Sequence, residues 1–242
     1  MAALTWDNVG EKKYETGVSE CALFVSDTSV TPSAENHYTT YGTGVAWNGI
    51  TGIDESPSGA EANKFYADNI EYANLTSAEE YGNTITAYTY PDEFEACDGS
   101  KKVNGISIGM QRRLPFALAY KTKVGNDQDE DAGYKLHLVY GLKASPSQRS
   151  YKTINDSPEL IEFSWETNGT PVPVVDSTGK VIEVGGVKLK PTCTMTLDTT
   201  TLSKKQLTNL ATLEGIIYGS ANANPTMPSP GEVTVIIGAE GW

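Results

Sequence analysis

The chain has 242 residues, of which 38% are hydrophobic and 20% are charged, and its formal net charge is −13. This length suits one large β domain or two ordinary domains, and it can bury a sizeable core without a disulfide or a metal. The acidic balance argues against tight binding to a nucleic-acid backbone, because phosphate recognition needs clustered Lys and Arg side chains.

Most of the sequence alternates between polar and apolar residues, which is the pattern of β-strands. Residues 21–25 and 45–50 are the first predicted strands. Between them lies a polar segment, residues 26–44, where we expect a functional loop, because loops of this length are uncommon in compact domains. Strand character returns in residues 64–72 and 83–90.

A short helix is predicted at residues 91–97, directly after these strands. Pro91 is suited to a first helical turn, and two acidic residues follow it near the positive end of the helix. Gly99 can close the helix because glycine readily adopts the left-handed conformation of a C-terminal cap.

Further along the chain, the pattern predicts hairpins. The clearest one has strands at residues 114–124 and 134–142, joined by a flexible acidic connection. Residues 160–166 alternate again and predict a single strand. Two adjacent glycines then separate the short strands of a second hairpin, at residues 180–184 and 187–190.

One longer helix is predicted near the C-terminus. Ser203 and Gln206 form a capping-box pattern, in which each side chain binds a free backbone amide at the helix start. Apolar residues follow at helical spacing, and Gly215 can end the helix, which gives bounds of about 203–215. The β-branched run at residues 233–237 predicts a final strand.

The motifs that suggest catalysis or calcium binding lack their required surroundings. Ser107 lies in a Gly-x-Ser-x-Gly pattern, but Pro115 follows and leads into a strand, whereas a nucleophile elbow requires a helix. Residues 127–131 have the acidic spacing that opens a calcium loop, but Ala132 and Leu138 occupy the positions of the essential Gly and Glu. We therefore expect no catalytic residues and no enzymatic activity.

Cysteine and histidine usage argues against a metal or cofactor site. Cys21, Cys97 and Cys193 are widely spaced and odd in number, which predicts three buried reduced thiols. His37 and His137 are isolated and lack the spacing of a metal-binding pair. We expect no cofactor, no bound metal and no disulfide framework.

The sequence also argues against membrane insertion. No apolar run is long enough for a transmembrane helix. Residues 1–10 lack the basic start and the apolar stretch of a secretory signal. A membrane is therefore not among the expected partners.

Several sequence blocks, taken in their order, point to a protein family. These blocks are residues 65–69, 91–94, 114–118, 138–142, 144–147 and 152–165. Their order resembles that of the major tail proteins, or tail tube proteins, of long-tailed phages that infect Gram-positive bacteria. The resemblance covers roughly residues 1–175, the expected tail tube domain. Residues 176–242 match less well, and we expect them to pack on the same domain or to complete it.

The resemblance implies a fold and a structural role. The fold would be mainly β, a sandwich or barrel-like domain with a flanking helix, whose strands complete an inner β-barrel between subunits. Six copies would form a ring, and rings would stack into a tube around the tape measure protein. The tube would meet the tail terminator and distal tail proteins at its ends and conduct double-stranded DNA without specific binding. The protein would be made in the host cytoplasm and reside in the virion tail.

The charge distribution of the chain is compatible with a tube that conducts DNA. Residues 1–100 hold seventeen acidic and three basic side chains, a net charge of −14, whereas residues 101–242 carry a net charge of +1. An acidic lumen would repel the phosphates of DNA and keep the DNA sliding. The same acids would serve equally well on the outer surface, where they would keep the protein soluble.

Two segments are candidates for contacts between rings, namely the long polar loop and the acidic hairpin connection. Segments of this kind often become ordered on assembly. The candidate contact residues are Tyr38, Tyr41, Asp127, Asp129, Glu130 and Asp131.

Three alternative functions remain open at this point. The chain could be the inner tube of a phage-derived injection device. It could instead be a carbohydrate-binding β-sandwich that uses Trp47, Trp165 and exposed tyrosines as stacking platforms. The third alternative is a hydrolase built on Ser107.

Overall fold

The computed structural model describes residues 4–29, 40–147, 149–151, 153 and 160–238. The fold of these residues is mainly β, as predicted. The strands are β1 (Tyr14–Val25), β2 (Val45–Ala46), β3 (Ile50–Glu55), β4 (Ser58–Gly59), β5 (Ala62–Ala67), β6 (Ile70–Thr76), β7 (Glu79–Glu80), β8 (Gly82–Ala87), β9 (Lys101–Val103), β10 (Ile106–Ile108), β11 (Phe116–Gly125), β12 (Gly133–Ala144), β13 (Phe163–Gly169), β14 (Glu183–Val184), β15 (Val187–Lys188) and β16 (Thr194–Asp198). The helices are a 3₁₀ turn (Asp92–Phe94), α1 (Glu95–Asp98), α2 (Lys204–Ile217) and α3 (Pro230–Ile237).

Eight of these strands form one antiparallel sheet. The strand order is β2-β1-β11-β12-β13-β8-β3, and β16 pairs with the first half of β12. The predicted hairpin at residues 114–142 is confirmed as β11 and β12, which lie at the centre of the sheet. The short hairpin predicted at residues 180–190 is also confirmed, with shorter strands in β14 and β15.

β12 changes partner near its end, and Gly141 is the residue that permits the change. Val139 pairs with Thr194 of β16, whereas Leu142 already pairs with Gly169 of β13. Gly141 has a φ of +64°, and a Cβ added there would lie 2.2 Å from the carbonyl oxygen of Thr170. A side chain would therefore be excluded both by the backbone conformation and by lack of space.

The central strands are buried on both faces, because alternate residues enter two different cores. In β11, Ala117 and Ala119 face the first core, which lies between the sheet and helices α2 and α3. Phe116 and Leu118, the intervening residues, face the second core. Two-sided burial explains why these strands are more continuously apolar than a half-exposed strand would be.

The second core is rich in aromatic side chains and lies within the curve of the sheet. The ring centres of Trp47 and Phe94 are 4.5 Å apart, and those of Phe94 and Trp165 are 5.0 Å apart. The curvature brings β1 close to β3. No strand pairing among the described residues joins these two, so the sheet is curled without forming a closed barrel within one chain.

The short helical segment after β8 supplies Phe94 to this core and matches the prediction for residues 91–97. Gly99 caps α1 in the left-handed conformation, with a φ of +82°. The same segment buries Cys97. The predicted burial of all three thiols is confirmed, since Cys21, Cys97 and Cys193 are free and buried.

Helix α2 confirms the prediction made from its capping box. The Ser203 side chain accepts a hydrogen bond from the amide of Gln206, whose own side chain accepts one from the Ser203 amide. The helix continues past Gly215, however, and ends at Ile217. Gly219, with a φ of +81°, follows in the left-handed conformation that Gly215 was expected to adopt.

The strand predicted at residues 233–237 is wrong, because this run lies within helix α3. Ser229 and Glu232 form a second capping box, and Pro230 occupies the first turn, where its missing N–H costs nothing. α3 packs against α2 and buries Val233 and Ile237 in the first core. This apolar packing outweighs the low helix propensity of the β-branched residues.

Candidate self-assembly surfaces

A long two-stranded arm, residues 56–80, leaves the sheet at the end of the β3–β8 pair. The amide of Ser56 binds the carbonyl of Gly82, and the pairing continues through β4 with β7 and β5 with β6. With a rise of about 3.3 Å per residue, the longer side of the arm, residues 56–67, spans about 40 Å. The arm strands β5 and β6 pair only with each other among the described residues.

The tip of the arm is a tight two-residue turn. Asp68 and Asn69 lie between the paired residues Ala67 and Ile70, and their φ values are +51° and +65°. Positive φ at both central positions defines a type I′ turn, whose twist matches that of the flanking strands. Asp and Asn tolerate this conformation better than other residues with side chains, which is why the chain reverses here.

The arm exposes an unusual amount of large apolar surface. Every residue of β5 is exposed, and Tyr66 and Tyr72 retain 68% and 77% of their accessible surface. Phe65, Ile70 and Leu75 are also exposed. A two-stranded ribbon is at best marginally stable alone in water, and contiguous exposed apolar residues mark interaction sites.

The arm is also acidic. It contains five acidic residues and one Lys, a net charge of −4. Lys64 and Glu71 form an ion pair of 2.9 Å between the two strands. Within the described part of the chain, no cation lies at ion-pair distance from the other acids, which are Glu61, Asp68, Glu79 and Glu80.

Two sheet edges close to the root of the arm are open in the described residues. β3 pairs with β8 on one side only. β1 pairs with β2 only at Ala22 and Leu23, so the outer edge of its first half has no partner strand. Open edges present free backbone N–H and C=O groups to which a strand of another chain can pair.

The acidic hairpin connection predicted as a ring contact is exposed, with Asp127, Asp129, Glu130 and Asp131 accessible to solvent. Asp127 accepts a hydrogen bond of 2.8 Å from the amide of Gly10, which ties the N-terminal segment to this connection. Asp131 lies 3.4 Å from Lys123. The role of these four residues in ring contacts stays a prediction.

The two tyrosines predicted as contacts have different positions. The hydroxyl of Tyr41 accepts a hydrogen bond of 2.9 Å from the amide of Gly141, and its ring packs against the first core. Burial raises the pKa of Tyr41 to about 12, so the hydroxyl stays protonated. Tyr38 lies outside the described residues.

The two tryptophans and the serine invoked for the other functions are placed differently from what those functions require, although exposed tyrosines are present. Trp47 and Trp165 are buried in the second core, so neither can stack on a sugar. Ser107 is exposed on β10, a strand of a two-stranded hairpin, and does not lie at a strand-to-helix turn. Burial raises the pKa of the Cys97 thiol to about 12, which leaves it protonated and a poor nucleophile.

The sequence predicted one strand over residues 64–72, whereas the structure has two strands there, β5 and β6, joined by the turn at Asp68 and Asn69, so the arm was missed. Residues 64–72 were predicted as strand-like because large residues recur among polar ones. The available signal was Asp68–Asn69, a pair that favours a tight hairpin turn between two such runs.

Of the helices that the structure describes, none is long and apolar enough to cross a bilayer.

No protein-family model matches the chain, and no curated protein matches it in sequence.

Proposed function

We propose that this protein is a structural subunit of a phage tail tube, in which hexameric rings stack into a conduit for double-stranded DNA. The single observation that carries the proposal is the arm, which holds five large apolar side chains in water. Burying each of these side chains against a partner chain would contribute about 1.5 kcal/mol or more to the free energy of association. Association with a partner chain explains why a soluble acidic protein retains them.

The open sheet edges support the finer part of the proposal, an inner β-barrel completed by several subunits. β3 continues directly into the arm, so its free edge and the arm form one connected docking element. Adding a strand from a sister chain to such an edge would satisfy backbone groups that a single copy leaves unpaired. A barrel closed in this way would have no exposed edges.

The charge distribution supports a passive role toward DNA. The excess of acidic side chains in residues 1–100 would disfavour phosphate binding wherever these residues faced the bore. The proposal includes the tape measure protein inside the growing tube, the tail terminator and distal tail proteins at its ends, and the virion tail as the location. It assigns no catalytic group and no cofactor to the chain.

The decisive experiment is negative-stain electron microscopy of the purified protein, combined with sedimentation velocity over a wide concentration range. We expect rings with six-fold symmetry or tubes, with a sedimentation coefficient that rises with concentration. A protein that remains monomeric at the highest attainable concentration, with no rings or tubes in the micrographs, would overturn the proposal.

A further inference from the structure

A second exposed hairpin has the opposite charge to the arm. Residues 101–113, which we call the basic hairpin, contain β9 and β10 and carry four basic and no acidic residues, a net charge of +4. Lys101, Lys102 and Arg112 are exposed. Lys102 pairs with Asp92 at 3.2 Å and Arg113 with Asp98 at 3.8 Å, whereas Lys101 and Arg112 have no ion-pair partner among the described residues. The patch is positive on a protein whose net charge is −13.

The basic hairpin is apolar as well as positive. Val103, Ile106, Ile108 and Met110 are all exposed, and Met110 is fully accessible. Its composition therefore mirrors that of the arm, with large apolar side chains bordered by charges of the opposite sign. Interfaces of this type combine an apolar centre with complementary charges around it.

The base of the basic hairpin is fixed to the body of the protein. The amide of Gln111 binds the carbonyl of Gly99, and that of Leu114 binds the carbonyl of Ala96. Arg113 donates a hydrogen bond of 3.3 Å to the carbonyl of Ala144 at the end of β12. A hairpin mounted in this way loses little conformational freedom when a partner binds.

The arm and the basic hairpin leave opposite ends of the same strand. The arm enters β8 at Gly82, whereas the other end of β8, Ala87, leads through α1 to the basic hairpin. The arm continues the β3–β8 pairing away from Ala87, and both surfaces stay exposed in a single copy. The two surfaces are therefore arranged for contact between different copies.

We propose that the arm of one subunit docks on the basic hairpin of the next subunit, in a head-to-tail contact between copies of this chain. The inference rests on the self-assembly in the proposed function and names the two surfaces that meet. A contact between two different surfaces is heterologous, so it generates a closed ring or an extended stack. Charge complementarity, −4 against +4, selects a second copy as the occupant.

The test exchanges the charges of the two surfaces. The first variant, Glu61→Lys with Glu79→Lys and Glu80→Lys, changes the net charge of the arm from −4 to +2, so both docking surfaces of this subunit are positive. The second variant, Lys101→Glu with Lys102→Glu and Arg112→Glu, changes the net charge of the basic hairpin from +4 to −2, so both docking surfaces of this subunit are negative. All six substituted residues are exposed, so the fold should tolerate the changes.

We expect each variant alone to need at least about tenfold more protein than the wild type to assemble, because like charges then face each other. An equimolar mixture should assemble at the wild-type concentration, since every contact between alternating variants pairs opposite charges. Recovery in the mixture would also show that both variants are folded. The matched control, Lys188→Glu with Lys204→Glu and Lys205→Glu, reverses three exposed charges outside both docking surfaces and should assemble normally.

The possible failures are distinguishable. If the wild type assembles and both charge variants assemble equally well, the docking pair is wrong while the proposed function stands. The pair is also wrong if each variant fails and the folded mixture fails as well. If the wild type itself never assembles, the proposed function falls and the docking pair falls with it.

Discussion

Lys121 connects the helical layer to the sheet through charged and aromatic contacts. Its ammonium lies 2.8 Å from carboxylate oxygens of both Glu20 and Glu214, and 4.6 Å from the ring centre of Tyr134. Burial by itself would lower the pKa of Lys121, but hydrogen bonds to the two carboxylates outweigh it and raise the pKa. The arrangement fixes α2 to β11 at one point of the first core.

We predict that Lys121→Met destabilises the protein by about 1–3 kcal/mol, because the partly buried Glu214 would lose its cationic partner. Urea unfolding followed by circular dichroism measures this change. The control is Lys123→Met, whose partner Asp131 is largely exposed at 3.4 Å, and it should shift stability by less than about 0.5 kcal/mol. Equal effects of both substitutions would contradict the special role of Lys121.

His137 makes the stability of the sheet depend on pH. Its ring stacks on Tyr120 with 4.7 Å between ring centres, and burial lowers its pKa although the carboxylate of Glu15 acts in the opposite direction. The unfolded chain therefore binds the proton more strongly than the folded chain does. The stabilisation is present above the ordinary His pKa of 6.5 and is lost as the pH falls below it.

The corresponding measurement is the free energy of unfolding at about pH 7.5 and at about pH 5.5. We expect the wild type to lose stability over this interval and His137→Asn to lose clearly less. Glu15, whose pKa is lowered by hydrogen bonds from Lys135 and Thr122 that outweigh its burial, acts only at more acidic pH, below its ordinary 4.5. A wild type whose stability is constant over the interval would contradict the prediction.

At the scale of elements, two helical glycines have opposite requirements. Gly215 lies inside α2, and a Cβ added there would meet no atom within 4 Å. Gly231 lies in the first turn of α3, and a Cβ added there would lie 1.6 Å from the carbonyl oxygen of Val175. The glycine in α3 therefore permits a close approach that the glycine in α2 does not need.

The prediction is that Gly215→Ala stabilises the protein by about 0.5–1 kcal/mol, because alanine is the better helix former. Gly231→Ala should destabilise it by about 2 kcal/mol or more, since α3 would have to move away from its support. Thermal unfolding of the two variants measures both changes in stability, which we expect to have opposite signs. The assignment of residues 230–237 to a packed helix fails if Gly231→Ala is neutral.

The arm can be removed without disturbing either core, because none of residues 57–80 belongs to a core cluster. Replacing these residues with a short flexible turn should change the free energy of unfolding by less than about 1 kcal/mol. The same change should abolish ring or tube formation, as measured by sedimentation velocity. Truncating the β14–β15 hairpin is the matched control and should leave assembly intact, whereas rings formed by the armless protein would contradict the prediction.

Local signals predicted most elements, and the errors have physical causes. Ser203 and Gln206 predicted α2, and the equivalent pair Ser229 and Glu232 was available for α3. The β-branched run at residues 233–237 favoured a strand instead, and only packing against α2 decides the matter. The arm was missed because an exposed ribbon and a buried strand show the same alternation.

At the scale of the whole molecule, the sheet order and its curl were beyond sequence reasoning, because they depend on distant pairings. β1 pairs with β11, and β8 with β13, across long stretches of chain. The acidic hairpin connection was identified from composition alone, and it is exposed as a contact segment must be. In the sequence, the basic hairpin attracted attention only through Ser107. The positive charge of this hairpin suggests a contact surface only once the structure shows that the arm is acidic and exposed.

The distant pairing of β1 with β11 also affects how the chain is made. Val25 pairs with Phe116, so during synthesis the apolar end of β1 can pair with β11 only after about ninety further residues have been added. The arm needs only its own local turn, and hairpins of this kind close within microseconds. Closing a sheet through distant contacts is slow by comparison. The arm therefore forms and opens repeatedly in the nascent chain, and late closure of the sheet, which holds the root of the arm in place, sets the moment at which the subunit can join other copies.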